Sequence, residues 1–164
     1  MILYFKEEAY GWGDSFFILD EDNQRKYRVN SSVLLWNKKF EIRDMDKNVL
    51  VTIKNEPKSL LKKKFYIFMG DKKVAAITKE VSLIPKYTIE GLDWQMHGVM
   101  LHEYEMLQGG QEVLSFHTDQ TPWGHRPILK ITNPADELLA LAVVMTISYV
   151  MNARENSESN TTHL

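Results

Sequence analysis

Leu138 to Ala153, LLALAVVMTISYVMNA, restricts this chain more than any other segment, because it is apolar on every side. The residues before it start a helix: Asn133 supplies an N-cap oxygen, Pro134 suits the first helical position, and Asp136 and Glu137 complement the helix dipole. A helix without a polar stripe is either enclosed by protein or held in a membrane. Length separates the two. The run rises about 24 Å at about 1.5 Å per residue, short of the roughly 20 residues that span a bilayer, and Thr146 and Ser148 interrupt it. The segment near 134–153 is therefore expected to be a central helix inside a protein shell, with a tail-anchored membrane protein as the competing reading. The polar stretch 155–164 has no apolar pattern and is expected to be a disordered tail.

The shell is legible in a repeat. Residues 38–54, KKFEIRDMDKNVLVTIK, align without gaps on 63–79, KKFYIFMGDKKVAAITK, with eight of seventeen positions identical. Each copy has an alternating apolar run (Phe40, Ile42; Phe65, Ile67), a polar turn (Asp44 to Asn48; Gly70 to Lys73) and a second run, which is the pattern of a β-hairpin. Lys86-Tyr87-Thr88-Ile89 repeats the opening once more. Strand side chains alternate, so Phe40 with Ile42, Phe65 with Ile67 and Tyr87 with Ile89 face one side.

The same pattern along the chain predicts strands near 3–5, 16–20, 26–29, 33–36, 39–43, 49–54, 64–68, 74–79, 86–90, 94–98, 101–106, 111–117 and 127–132. About a dozen strands exceed the roughly ten that an open sheet holds without curling or splitting, and closure into a barrel removes exposed edges. Such a barrel is wider than its own side chains fill. At 164 residues one core is expected. The expected fold is mainly β: one domain over 1–154, a closed antiparallel barrel of about twelve strands wrapped around the central hydrophobic C-terminal helix.

Charge is segregated along the chain. The total of 20 basic and 22 acidic residues gives −2, but residues 54–86 hold nine Lys against three acidic residues, and residues 87–164 hold three basic against ten acidic. Lys is a compact point charge suited to phosphate, and Arg, whose flat fork reads bases, is absent from 54–86. A phosphate-rich headgroup or a nucleic-acid backbone would fit this block; of the two, an anionic phospholipid headgroup at a membrane surface is the expected partner and nucleic acid is disfavoured. The candidate ligand-binding residues are Lys58, Lys62, Lys63, Lys64, Lys72 and Lys73. The plainer reading makes these lysines the solvated faces and edges of ordinary strands.

No catalytic motif emerges. The chain has no Cys, which excludes thiol nucleophiles, disulfides and Cys-based metal sites. It has no Gly-x-Ser-x-Gly elbow beside a base. Glu103 and Glu105 share a strand face and are expected to be solvated. The five His fit no zinc spacing, although His117 and His125 could meet across a turn. Asp44-Met45-Asp46-Lys47-Asn48 opens like a calcium loop, but Val49 replaces the Gly and Asn55 the Glu that such a loop needs, so a hairpin turn is expected. Gly11-Trp12-Gly13 lacks the third glycine of a dinucleotide fingerprint and reads as a turn. Met96, Met100, Met106, Met145 and Met151 read as core filler. No catalytic residue, metal ligand or cofactor is assigned. The alternative is a hydrolase or metal-dependent enzyme using His102, His117 or His125 in a barrel-end cleft. The opening MILYFKEE lacks the basic and apolar regions of a signal peptide, so a cytoplasmic location, peripheral at a membrane, is expected.

YFKEEAYGWGDSFFILDEDNQRKYRV, SLIPKYTIEGLDWQMHG and ELLALAVVMTI resemble the LURP-one-related family, most specifically at Pro85 to Trp94. That family is similar in fold to the tubby C-terminal domain and the phospholipid scramblases. The resemblance implies a twelve-stranded barrel around a hydrophobic helix, and by analogy a lipid-headgroup ligand. One departure stands near the last strand, where Pro127 lacks an amide donor and is expected to interrupt pairing.

Overall fold

The computed structural model describes residues 1–7, 15–34, 37–55, 63–80, 86–100, 103–122 and 124–150. Twelve strands follow one another: β1 (Ile2–Glu7), β2 (Ser15–Leu19), β3 (Arg25–Leu34), β4 (Asn37–Arg43), β5 (Val49–Asn55), β6 (Lys63–Met69), β7 (Lys72–Glu80), β8 (Lys86–Glu90), β9 (Gln95–Met100), β10 (Glu103–Gln108), β11 (Gln111–Thr121) and β12 (Gly124–Ile131). They form one antiparallel sheet in the order β8-β7-β6-β5-β4-β3-β2-β1-β12-β11-β10-β9. Every strand pairs with its sequence neighbour except β8 and β9, and β1 on β12 joins the two ends of the chain (Leu3↔Leu129). The barrel is nearly closed, with one seam between β8 and β9. At that seam Gly91 adopts φ +88°, and a Cβ there would stand 2.7 Å from the Val74 carbonyl oxygen, so the turn can press on β7 only as glycine.

Both repeats are hairpins, but their registers differ. Phe40 faces Ile53 in the first copy and Phe65 faces Ile77 in the second, although the gapless alignment places Thr78 opposite Ile53 in sequence. A five-residue connection between Arg43 and Val49 is replaced by the two-residue turn Gly70-Asp71, with Gly70 at φ +59°. The second turn is thus shorter than Gly70 to Lys73, and Lys72 and Lys73 belong to β7. Alternation then fills the interior with Ile42, Val51, Ile53, Phe65, Ile67 and Ile77, all buried.

Two expectations need correction. The separate strands 26–29 and 33–36 are one strand, β3, because Asn30-Ser31-Ser32, polar enough to suggest a turn, continues the ladder on β4 (Ser31↔Phe40). Pairing also runs through Pro127, which faces Thr118 within a ladder that reaches Thr121↔Gly124. The pairing of β12 with β1 spans Ile128 to Lys130 and stops short of the proline. The helix is not uniform. Asn133 Oδ1 accepts from the Ala135 amide at 3.1 Å and starts a 3₁₀ turn, Pro134–Asp136. Next come α1, Glu137–Val144, and a π-helix, Met145–Val150. At their junction the Thr146 hydroxyl donates to the Ala142 carbonyl at 2.7 Å, competing for an acceptor that the regular ladder uses.

The helix is enclosed. Ala140 to Ile147 are each 0% exposed, packed in one cluster with inward residues of the strands. No helix of the described residues is long and apolar enough to cross a membrane. Polar contacts hold both ends. Where the helix enters, Lys26 Nζ lies 2.6 Å from Glu137 Oε1 and buried Tyr27 hydrogen-bonds to the same carboxylate; burial raises the Tyr27 pKa, with the charge and hydrogen bond of Glu137 acting in the same direction. Deeper in, the Tyr104 hydroxyl lies 2.9 Å from the Ser148 hydroxyl. Met106 and Met145 are fully buried filler and Met96 is partly buried; Met151 lies outside the described residues.

Replacing Val143 with Asp places a charge inside an apolar cluster at 0% exposure, and is expected to cost about 4 kcal/mol or more. Thermal denaturation checks this; an unchanged melting temperature means the segment is not enclosed.

Candidate functional site

With the interior full, the charged chemistry sits on the outer wall. On β6, burial of Phe65 and Ile67 leaves Lys64, Tyr66 and Phe68 facing outward. Lys54 of β5 stands opposite Tyr66, and Lys73 of β7 opposite Phe68. Three ammonium groups lie over two rings. Lys73 Nζ is 5.1 Å and Lys64 Nζ 5.6 Å from the Tyr66 centroid, and Lys54 Nζ is 5.3 Å from that of Phe68, all within cation–π reach. Lys64 also donates to both Glu90 oxygens at 3.1 Å.

The hairpin splits the candidate lysines. Lys64 and Lys73 converge over Tyr66, whereas exposed Lys63 faces Lys79 at one rim and exposed Lys72 faces Met69 at the other. Six residues of strand, about 20 Å, separate those rims. Lys58 and Lys62 lie outside the described residues. Lys54 belongs to the cluster and was missed, because only the β5–β6 ladder brings it beside Tyr66.

On β4, Glu41 lies between outward-facing Lys39 and Arg43 and pairs with both. Burial pushes its carboxyl up, but the hydrogen bonds and charges of Lys39 and Arg43 outweigh that and hold it below the usual carboxylate range. Arg43 Nη1 further donates to the Lys47 carbonyl at 2.9 Å. That carbonyl belongs to the Asp44–Asn48 turn, in which Asp44 accepts from the Asn48 amide at 2.8 Å and Lys47 takes φ 71°. The segment is the expected hairpin turn.

A groove of about 510 Å³ lies on the far wall, lined by His97, Gly98, Glu103, Glu105, Ser115 and His117. Cross-strand rows build it: His97, Glu105 and Ser115 stand abreast on β9, β10 and β11, and Glu103 faces His117. Gly98, at φ +114°, is strained for any other residue, and a Cβ there would be tight, 3.2 Å from both the Glu103 oxygen and the Tyr104 Cα. Glu105 separates the imidazole of His97 from the hydroxyl of Ser115, and that hydroxyl donates to Glu112 at 3.3 Å. In this row the hydroxyl's neighbours are the carboxylates of Glu105 and Glu112, and His97 stands one strand further off. His117 Nε2 stands 3.4 Å from Asp119 Oδ1. His125 faces Gln120, not His117, so the strands do not bring these two histidines together. His102, His163 and Gly11-Trp12-Gly13 lie outside the described residues. Among the described residues no three His, Asp or Glu side chains gather as a metal site.

Known proteins are similar to this chain in sequence or in fold. The sequence model described as LURP-one-related matches residues 1–148. "Uncharacterized protein YxjI" of Bacillus subtilis (strain 168) is 28% identical over 151 residues, covering 91% of this chain and 93% of that protein. An X-ray structure of a protein from Arabidopsis thaliana is similar with a TM-score of 0.58 at 13% identity, covering 88% of this chain and 87% of the other.

The depressed Glu41 carboxyl has a pH signature. A group whose folded pKa is lowered contributes stability above its unfolded value, about 4.3, and loses it as pH falls through the folded value. Glu41→Gln is expected to be less stable than wild type at neutral pH, with the difference closing in acid below that value. Urea midpoints at neutral and acid pH check this; a difference that does not change with pH overturns it.

Proposed function

The chain belongs to the LURP-one-related family, and on that premise we propose that it is a non-enzymatic binding module that recognises anionic phospholipid headgroups at the cytosolic membrane face through its Lys-rich hairpin wall. The observation that carries this reading is the convergence of Lys64 and Lys73 over Tyr66, with Lys54 beside them. Lys54, Lys64 and Lys73 gather their ammonium groups over aromatic rings, with Lys64 also paired to Glu90, and such a cluster of cations suits contact with headgroups. Lysine donates as a point charge and tolerates the varied geometry of phosphate oxygens. Each such residue contributes about 1 kcal/mol at an anionic membrane, so association is weak and salt-sensitive. Among the described residues no metal cluster gathers and the cross-strand neighbours of Ser115 are Glu105 and Lys130 rather than a histidine, which favours binding over histidine-based catalysis.

Co-sedimentation with vesicles containing phosphatidylserine tests the proposal. The protein is expected to pellet at low salt and to be released as salt rises, and Lys64→Glu with Lys73→Glu is expected to weaken capture by roughly tenfold or more. No capture at low salt, or undiminished capture of the double variant, overturns it.

A further inference from the structure

The outward-facing charges are sorted by wall. On β3 to β6, Arg25, Arg28, Lys39, Arg43, Lys54 and Lys64 face out, and the one carboxylate among the described outward positions there, Glu41, is held between Lys39 and Arg43. Several of these cations lie against the wall: the guanidinium groups of Arg25 and Arg28 are 4.0 and 5.7 Å from the Phe17 ring centroid, as Lys54 and Lys64 lie over Phe68 and Tyr66. The strands β9 to β11 contain no Lys or Arg, and their outward positions carry Glu103, Glu105, Glu112 and Asp119.

Strand order places these walls opposite each other. Around the twelve positions, β4 and β5 stand six places from β10 and β11, half a turn of the barrel. Twelve strands about 4.8 Å apart give a barrel roughly 20 Å across before side chains are added. That exceeds the Debye length of about 10 Å in 0.1 M salt, so a charged plane touching one wall is screened from the other.

We propose that the β3–β6 wall is the face that lies against an anionic bilayer, with the acidic groove of β9–β11 turned away from it. This rests on the headgroup reading above and adds to it the docking wall and the orientation. Cations spread over four adjacent strands cover about 14 Å of a convex surface, a width that fits an extended anionic plane rather than one phosphate. Turning the barrel half a revolution would set four carboxylates against the same plane, so a single orientation is favoured.

The chain has no Cys, which permits clean single-site labelling. Thr52→Cys on β5 and Gln95→Cys on β9 carry a fluorophore, with Ser32→Cys on β3 as a second reporter for the basic wall should Thr52→Cys fold poorly. Phosphatidylcholine vesicles with about one third phosphatidylserine carry a nitroxide quencher near the headgroups. The Thr52 and Ser32 labels are expected to be quenched several-fold more than the Gln95 label at low salt, and Arg28→Glu with Arg43→Glu to weaken capture several-fold. Captured protein with equal or reversed quenching overturns the orientation while leaving headgroup binding intact. Failure of every labelled protein and of the wild type to bind removes both.

Discussion

A helix with no polar face and a barrel with too much room each solve the other's problem. Left in water, Leu141, Val143 and Val144 would each forgo roughly 1.5–3 kcal/mol of burial, and an unfilled twelve-strand barrel would leave its inner rows facing a void. Eight consecutive residues at 0% exposure, from Ala140 to Ile147, show how completely the strands surround the helix. The polar atoms that enter with it are answered: Thr146 bonds back to its own helix, Ser148 meets Tyr104, and Glu137 at the mouth meets Lys26 and Tyr27. An unanswered charge anywhere along that path would set desolvation against the packing that holds the barrel together.

A full interior sends charged chemistry to the outside. Strand alternation puts one residue in two on the outer wall, and the ladders decide which of those stand side by side. Lys54 reaches Tyr66 from a neighbouring strand, and Glu41 finds both its cations two residues away on its own strand. The result is a basic wall stiffened by rings and an acidic wall floored by Gly98, separated by half the circumference. Residues that differ in sign along the sequence thus become opposite in direction, which a linear charge count cannot express.

Much of this was legible in the chain. The repeat marked two hairpins, the alternating apolar residues marked the inward rows, and the capped apolar run marked the plug, because each depends on local periodicity. The less legible features depend on pairing. Asn30-Ser31-Ser32 looks like a turn until β4 claims its backbone, and Pro127 looks like a break until its ladder with β11 is seen to continue. The seam at β8 and β9 is invisible in sequence because both strands carry ordinary strand patterns. Selection by sequence proximity grouped Lys63 and Lys72 with Lys64 and Lys73, although they stand at opposite rims, and passed over Lys54.

By itself the sequence determined the inventory: which segments extend, which helix must be hidden, and which stretches are basic or acidic. Those follow from side-chain type and spacing along the chain. Tertiary structure alone decided the register of each hairpin, the position of the seam, the change from α to π winding at Thr146 and the placing of opposite charges on opposite walls. These depend on hydrogen bonds and contacts between residues far apart in sequence, whose partners exist only once the sheet has curled around its helix.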